Sequence, residues 1–267
     1  MHTPDLTVQR VRHPLKMRLL QVRRTQLIAP HLLSVTFTGD DLDDFVSASF
    51  DDHVKLFFPL PGESQPLLPT VSPEGVRMTD SGPRPIARDY TPRRYDSAAQ
   101  ELEIQFVLHG DGPASNWATQ AKPGDYLGIG GPRGSFVIPT GFDWFLMVGD
   151  ETALPAVGRR LEEVPAGTRV IAVLEVDSDH EKVDFETRAD AEIIWIRRDG
   201  KPAPLETAIR RLKLPDGEGY VWAAGEASVM RSIHTHLVSE RGLHKSRIRA
   251  SSYWKHGAVA VHESHGD

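Results

Sequence analysis

The sequence contains no cysteine among its 267 residues. This absence excludes disulfide bonds, zinc sites with thiolate ligands, iron–sulfur clusters bound through cysteine, and cysteine nucleophiles. Any redox chemistry must therefore depend on a bound cofactor. The sequence also lacks a run of about 18 apolar residues, which a membrane-spanning helix needs, and an apolar segment near its start that would indicate a secretory signal. We therefore expect a cytoplasmic protein with no membrane insertion.

An excess of positive charge is also missing. The chain has 31 Lys and Arg against 37 Asp and Glu, a net charge of −6, which argues against nucleic acid as a partner because nucleic-acid binders usually carry a concentrated basic face. The 12 histidines do not form an obvious metal-ligand pattern. His234 and His236 are two positions apart on a predicted helix and point in different directions, so we expect no metal ion bound by protein side chains.

The first half of the sequence has the pattern of short strands separated by turns. Residues 101–106 (ELEIQF) alternate polar and apolar strictly, which is typical of a half-buried strand. Residues 33–38 and 53–58 are further strand-like runs, and Pro-Gly pairs separate the runs. Many short strands with such punctuation predict a β-barrel or sandwich.

The second half alternates strands with helices. Its strand-like runs at 145–149, 170–174, 193–196 and 220–224 are apolar throughout, as expected for a parallel sheet covered by helices on both faces. Between them, Leu154, Val157, Leu161 and Val164 step by three or four, the spacing of one helix face. We predict a β-barrel domain at 1–140 and an α/β domain at 141–267.

Residues 88–93 (RDYTPR) combine side chains that suit a flavin. Arg88 offers a fork of donors for phosphate, Tyr90 offers a flat ring for an aromatic group, and Thr91 can reach a ring nitrogen. Solvated arginines on an ordinary strand remain the alternative interpretation.

A second motif at 112–118 (GPASNWA) follows the alternating strand and begins a predicted helix, with Pro113 in the first turn. The free N–H groups at such an end favour a phosphate. An ordinary turn with Trp117 in the core is the alternative.

Two strand-to-helix junctions in the second half suggest a nucleotide site. Residues 149–156 (GDETALPA) and 224–228 (AGEAS) each follow an apolar strand, and ligands of open α/β sheets bind at the carboxyl ends of the strands. Because the G-x-G-x-x-G pattern is absent, a standard dehydrogenase site is disfavoured.

Together with residues 253–257 (YWKHG), these motifs closely resemble the siderophore-interacting protein family over about residues 17–263. The resemblance implies a ferredoxin–NADP reductase-like fold, in which a six-stranded Greek-key FAD-binding barrel precedes a parallel-sheet NAD(P)H-binding domain. It also implies an FAD-dependent reductase that passes electrons from NAD(P)H through flavin to a ferric siderophore and releases Fe(II) in the cytoplasm, a role in iron acquisition. We expect a monomer.

The resemblance also implies roles for individual residues. FAD would contact Arg88, Tyr90, Thr91, His109, Ala114, Ser115 and Trp117. NAD(P)H would dock at Gly149, Asp150, Glu151, Thr152, Gly225 and Glu226. A basic cluster of Lys55, Arg133 and Lys255 would attract the anionic ferric chelate. Lys255 departs from the family, which usually has Arg there, and Lys loses the bidentate fork.

The electron donor is harder to predict. Acidic residues at 175–179 follow the second apolar strand and often favour the ribose of NADH, whereas Arg197 and Arg198 could favour the 2′-phosphate of NADPH. We expect NADPH, and ferredoxin is a further possible donor. Two alternative functions stay open: a flavin reductase that delivers electrons to a redox-protein partner, and a siderophore- or nucleotide-binding module without turnover.

Overall fold

A computed structural model describes residues 5–73, 75–77, 83–110, 112–200, 203–257 and 263–265. The chain divides into two compact units, of which one spans Val8–Ile138 and the other comprises Pro139–Asp267 together with the start of the chain up to Thr7. Among the described residues, no helix is long and apolar enough to cross a membrane.

The Val8–Ile138 unit is built on antiparallel strands. The described strands are β1 Gln9–Arg12, β2 Met17–Ala29, β3 Leu32–Thr38, β4 Val54–Phe58, β5 Thr70–Ser72, β6 Gly75–Arg77, β7 Ile86–Tyr90, β8 Pro92–Asp96, β9 Glu101–Val107, β10 Tyr126–Gly130 and β11 Gly134–Val137. Seven of them form one sheet in the order β7-β4-β10-β2-β3-β9-β8, while β1 pairs with β11 and β5 with β6. The one α-helix described in this unit is α1, Pro113–Gln120.

The predicted barrel is confirmed, and its strand count has a simple explanation. Strands β7 and β8 lie at the two edges of the seven-stranded sheet, yet only Thr91 separates them in the chain. One bent segment therefore supplies both edges, so six chain segments make seven strands. The alternation predicted at 101–106 is confirmed, because Leu102, Ile104 and Phe106 are fully buried in the core.

The second unit contains a parallel sheet, as predicted. The described strands and α-helices are β12 Trp144–Gly149, α2 Leu154–Glu163, β13 Arg169–Val176, β14 Asp190–Arg197, α3 Pro204–Arg211, β15 Gly219–Glu226, α4 Ala227–Thr235, β16 Ile248–Trp254 and β17 Glu263–His265. The strand order of the sheet is β14-β13-β12-β15-β16-β17, with all neighbours parallel except the antiparallel pair β16 and β17.

Strands β12, β13 and β15 are buried as their apolar sequences predict. The prediction of a strand at 193–196 covered on both faces is wrong, because β14 lies at the edge of the sheet and is only half-buried. All six residues of β12 are buried, and Leu154, Val157 and Leu161 turn the apolar face of α2 inward. Helix α4 continues into a π-helical turn at His236–Glu240. Strand β16 is among the elements that the sequence patterns did not predict, and it places residues 253–254 beside the end of β15.

Candidate functional site

The bend between β7 and β8 carries the predicted flavin residues. Tyr90 packs its ring on Phe106, with centroids 4.6 Å apart, and burial raises the pKa of its phenol. The Arg88 guanidinium donates to the Ala87 carbonyl at 2.7 Å, and among the described residues no carboxylate pairs with it. Thr91 is buried at the bend. An arginine without a carboxylate beside a tyrosine ring fits a group that combines phosphate with an aromatic ring system.

The start of α1 offers a second phosphate-binding feature. Gly112 is the N-cap, Pro113 occupies the first turn, and the helix has no side-chain cap and no acidic residue in its first turn. A Cβ at Gly112 would meet no atom within 4 Å, so space lies next to the free N–H groups. These groups suit a pyrophosphate. Ala114 and Ser115 are buried in the first turn of α1, and their contact with FAD stays a prediction.

Two other predicted FAD residues have different surroundings. His109 is exposed, close to the start of α1. Trp117 packs among three core aromatic rings, at centroid distances of 5.7 to 6.1 Å; these rings are Phe37, Phe58 and Phe106. Trp117 therefore serves the barrel core, as the alternative interpretation expected, and its contact with FAD stays a prediction.

The predicted basic residues of the barrel unit lie at one end of β10. Lys55 is opposite Gly130 in the β4–β10 pair. Arg133 is exposed in the segment between β10 and β11, three positions after Gly130. The Lys55 ammonium is not free, because it pairs with Asp89 at 2.7 Å. Lys55 and Asp89 are direct cross-strand partners, so their side chains share the sheet face opposite to that of Arg88 and Tyr90.

In the second unit, the carboxylate of Asp150 connects the ends of three parallel strands. It follows β12 and accepts hydrogen bonds from Thr152 N at 2.9 Å, from Glu226 N at 3.1 Å at the end of β15, and from Trp254 Nε1 at 2.8 Å at the end of β16. Burial raises the pKa of Asp150 to about 6, and the charge of Glu151 adds to this rise, while hydrogen bonds from Thr152 and Trp254 oppose it.

Two glycines make this arrangement possible. A Cβ at Gly225 would lie 2.5 Å from Asp150 Oδ2, and its φ of +154° is one that other residues rarely adopt. A Cβ at Gly149 would lie 2.3 Å from the Ala153 Cβ. The structure thus brings Gly149, Asp150, Thr152, Gly225 and Glu226 together at the carboxyl edge of the sheet. Asp150 is bound inward, and its contact with NAD(P)H stays a prediction.

Lys255, the third predicted cation, is exposed just beyond β16. It belongs to the same unit as Asp150 and lies between Trp254 and His256, whose backbone N–H donates to Glu226 Oε1 at 3.4 Å. Glu226 also caps α4 through the N–H groups of Ser228 and Val229.

Arg198 lies at the centre of a cluster of three carboxylates, which the sequence analysis did not predict. Its guanidinium donates to Glu151 at 2.8 Å, to Glu175 at 2.7 Å, and also to Asp177. Burial lowers the pKa of Arg198, but the hydrogen bonds and charges of Glu151 and Glu175 outweigh burial and leave it raised. The acidic residues at the end of β13 and the arginine after β14 were visible in the sequence. Their pairing depends on the parallel register of the two strands, which the sequence does not show.

No group of three or more potential ligands for a metal ion occurs among the side chains that the structure describes. The predicted binding residues lie in both units. The residues predicted to bind the phosphates and ring of FAD lie in the barrel unit, and those predicted to bind the dinucleotide lie in loops at the sheet edge of the α/β unit.

Two family models match the chain, one in each half of the sequence. Residues 21–136 match the siderophore-interacting FAD-binding domain, and residues 142–257 match the siderophore-interacting protein domain. The NADPH-dependent ferric-chelate reductase of Escherichia coli is 38% identical over 92% of this chain and 96% of its own length. The ferric vibriobactin reductase of Vibrio cholerae is 35% identical over 92% of this chain and 93% of its own.

A solved structure extends the likeness to three dimensions. The siderophore utilization protein of T. fusca superposes with a TM-score of 0.87 at 38% identity, covering 96% of this chain and 98% of that protein. The predicted fold class is confirmed by this match. The chain belongs to the siderophore-interacting protein family.

Proposed function

We propose that this protein is an FAD-dependent reductase of ferric siderophores that takes electrons from NAD(P)H and releases Fe(II) in the cytoplasm. The observation that carries the proposal is that the chain matches both family domains and keeps Arg88 and the start of α1 without acidic partners among the described residues. Its 38% identical relative is named an NADPH-dependent ferric-chelate reductase.

The barrel unit would hold FAD through its phosphates and its ring. Arg88 would donate to a phosphate oxygen, as would the N–H groups of Ala114 and Ser115, and Tyr90 would pack against the flavin ring with Thr91 beside it. When bound, FAD would supply the conversion between a two-electron donor and one-electron acceptors, so that two Fe(III) chelates would be reduced for each NAD(P)H oxidised and one proton would be released.

The α/β unit would bind the dinucleotide at the carboxyl edge of its sheet. Gly149 and Gly225 let the two loops pack closely, because a Cβ at Gly149 would clash with Ala153 and one at Gly225 with Asp150. Thr152 and Glu226 border these glycines and bond to Asp150. The inward-facing Asp150 would hold the two loops in register.

The chain's cations would attract the iron complex, whereas the siderophore's own oxygens hold the metal. Lys55, Arg133 and Lys255 would raise the local concentration of anionic chelates. Fe(II) binds hard anionic oxygen ligands much more weakly than Fe(III), so reduction would release it without protein ligands. Because each unit has its own buried core, we propose that the chain acts as a monomer. Sedimentation velocity of the purified protein tests this proposal.

The deciding experiment follows flavin absorption of the purified protein during stepwise addition of NADPH or NADH and then a ferric siderophore. Bleaching by the nucleotide, recovery on adding the chelate, and Fe(II) captured by a ferrous indicator dye are the expected results. Bleaching without recovery, followed by reoxidation with a ferredoxin, would support the redox-partner function instead. Nucleotide binding without bleaching would support a binding module.

A further inference from the structure

The exposed Lys255 lies on a segment that is tied to the nucleotide loops by two acidic residues. On one side of it, the Trp254 indole N–H donates to buried Asp150 at 2.8 Å. On the other side, the His256 N–H donates to Glu226 Oε1 at 3.4 Å. Both neighbours of Lys255 are therefore fixed to groups outside β16.

The two acidic residues are themselves held in place. Asp150 accepts from Thr152 N at 2.9 Å and from Glu226 N at 3.1 Å, so its carboxylate cannot rotate without breaking bonds at the ends of β12 and β15. Glu226 accepts from Ser228 N at 2.6 Å and Val229 N at 3.1 Å at the start of α4. The tethers thus end on rigid elements of the sheet and its helix.

The tethers matter because of the residue they flank. Lysine carries a point charge on a flexible stem, without the planar fork that makes arginine geometrically selective. A lysine on a mobile backbone would lose more conformational freedom on binding an anion than one on a fixed backbone.

We propose that Asp150, through Trp254, is a positioning residue that holds Lys255 for anionic ferric chelates and so connects the nucleotide loops to the substrate-binding segment. This inference rests on the proposed ferric-siderophore reductase function. Glu226 supports the same segment from its other end through His256.

The test is a double-mutant cycle of Trp254→Phe and Lys255→Ala, measured in the FAD-loaded protein. Phenylalanine keeps an aromatic ring but removes the indole N–H that bonds Asp150. The matched control is Trp195→Phe, because Trp195 lies in the same unit on the edge strand β14 and stacks on Phe185. Steady-state reduction of one anionic and one neutral ferric chelate gives kcat and KM for each variant, and circular dichroism checks folding.

We expect Lys255→Ala to raise KM for the anionic chelate about 10-fold and Trp254→Phe to raise it about 2- to 10-fold. The double variant should match Lys255→Ala alone, because Trp254 acts through Lys255. KM for the neutral chelate should change much less, and added salt should reduce the differences. Trp195→Phe should leave both KM values unchanged.

Two results would overturn the proposal. If the single effects multiply in the double variant, Trp254 does not act through Lys255. If Trp254→Phe is folded and leaves KM for the anionic chelate unchanged, the tether has no role in binding. In both cases the wild type still reduces ferric chelates and the proposed function stands. If NAD(P)H bleaches the wild-type flavin but no chelate reoxidises it, the proposed function and this inference fail together.

Discussion

Replacing the buried Asp150 with asparagine should change how stability depends on pH. The unfolded chain ionises this carboxyl with a pKa near 3.8, and burial raises the pKa to about 6 in the folded protein. Between these values the folded state binds one more proton than the unfolded state. The contribution of Asp150 to stability is therefore fully present below about pH 4 and is lost as the pH rises through 6.

The size of this effect follows from the pKa difference. A shift of about 2 pKa units corresponds to about 3 kcal/mol, at about 1.4 kcal/mol per unit. Asparagine does not titrate, so the unfolding free energy of the wild type minus that of Asp150→Asn should fall by about 3 kcal/mol between pH 4 and pH 7. The loss should be steepest between pH 4 and pH 6.

Urea unfolding at four pH values, followed by tryptophan fluorescence, measures the difference. The signal is suitable because Trp144, Trp195, Trp222 and Trp254 all lie in the same unit as Asp150. The matched control is Asp179→Asn, because the hydrogen bond from Lys182 lowers the pKa of Asp179 and so gives a pH dependence of the opposite sign. A wild-type minus Asp150→Asn difference that stays constant or grows from pH 4 to pH 7 would refute the reasoning.

Three further predictions concern ligands. Arg88→Ala should weaken FAD binding by about 1.5–3 kcal/mol, the contribution of a hydrogen bond to a charged group, as measured by flavin fluorescence titration; unchanged FAD affinity would contradict a phosphate contact. Asp89→Asn should lower KM for anionic ferric chelates, because it frees the Lys55 ammonium, and Lys55→Ala should raise it; equal effects on a neutral chelate would exclude an electrostatic cause. Asp177→Asn should lower the ratio of KM for NADPH to KM for NADH, because Arg198 loses one of its carboxylate partners and its positive charge is less neutralised beside a 2′-phosphate. Steady-state kinetics with each donor measure the ratio, and an unchanged ratio would show that Arg198 does not contact the nucleotide.

Much of the fold was predictable because it depends on local patterns. The strict alternation at 101–106 predicted a half-buried strand, and β9 has that burial pattern. The apolar runs of the second half predicted buried parallel strands, and β12, β13 and β15 are such strands. The candidate residues before α1 and α2 were also identifiable, because a helix start after a strand is visible in the order of residue types.

The contacts that give these residues their roles were decided only by the tertiary structure. Lys55 looks like a free cation in the sequence, yet β4 and β7 pair it with Asp89, 34 positions away. Asp150 looks like a loop residue, but the sheet order brings it Glu226 and Trp254 from 76 and 104 positions away. Periodicity is a property of neighbouring residues and fixes which face of an element is buried. Hydrogen-bond partners at such separations depend on which strands lie side by side, and local periodicity does not specify that order.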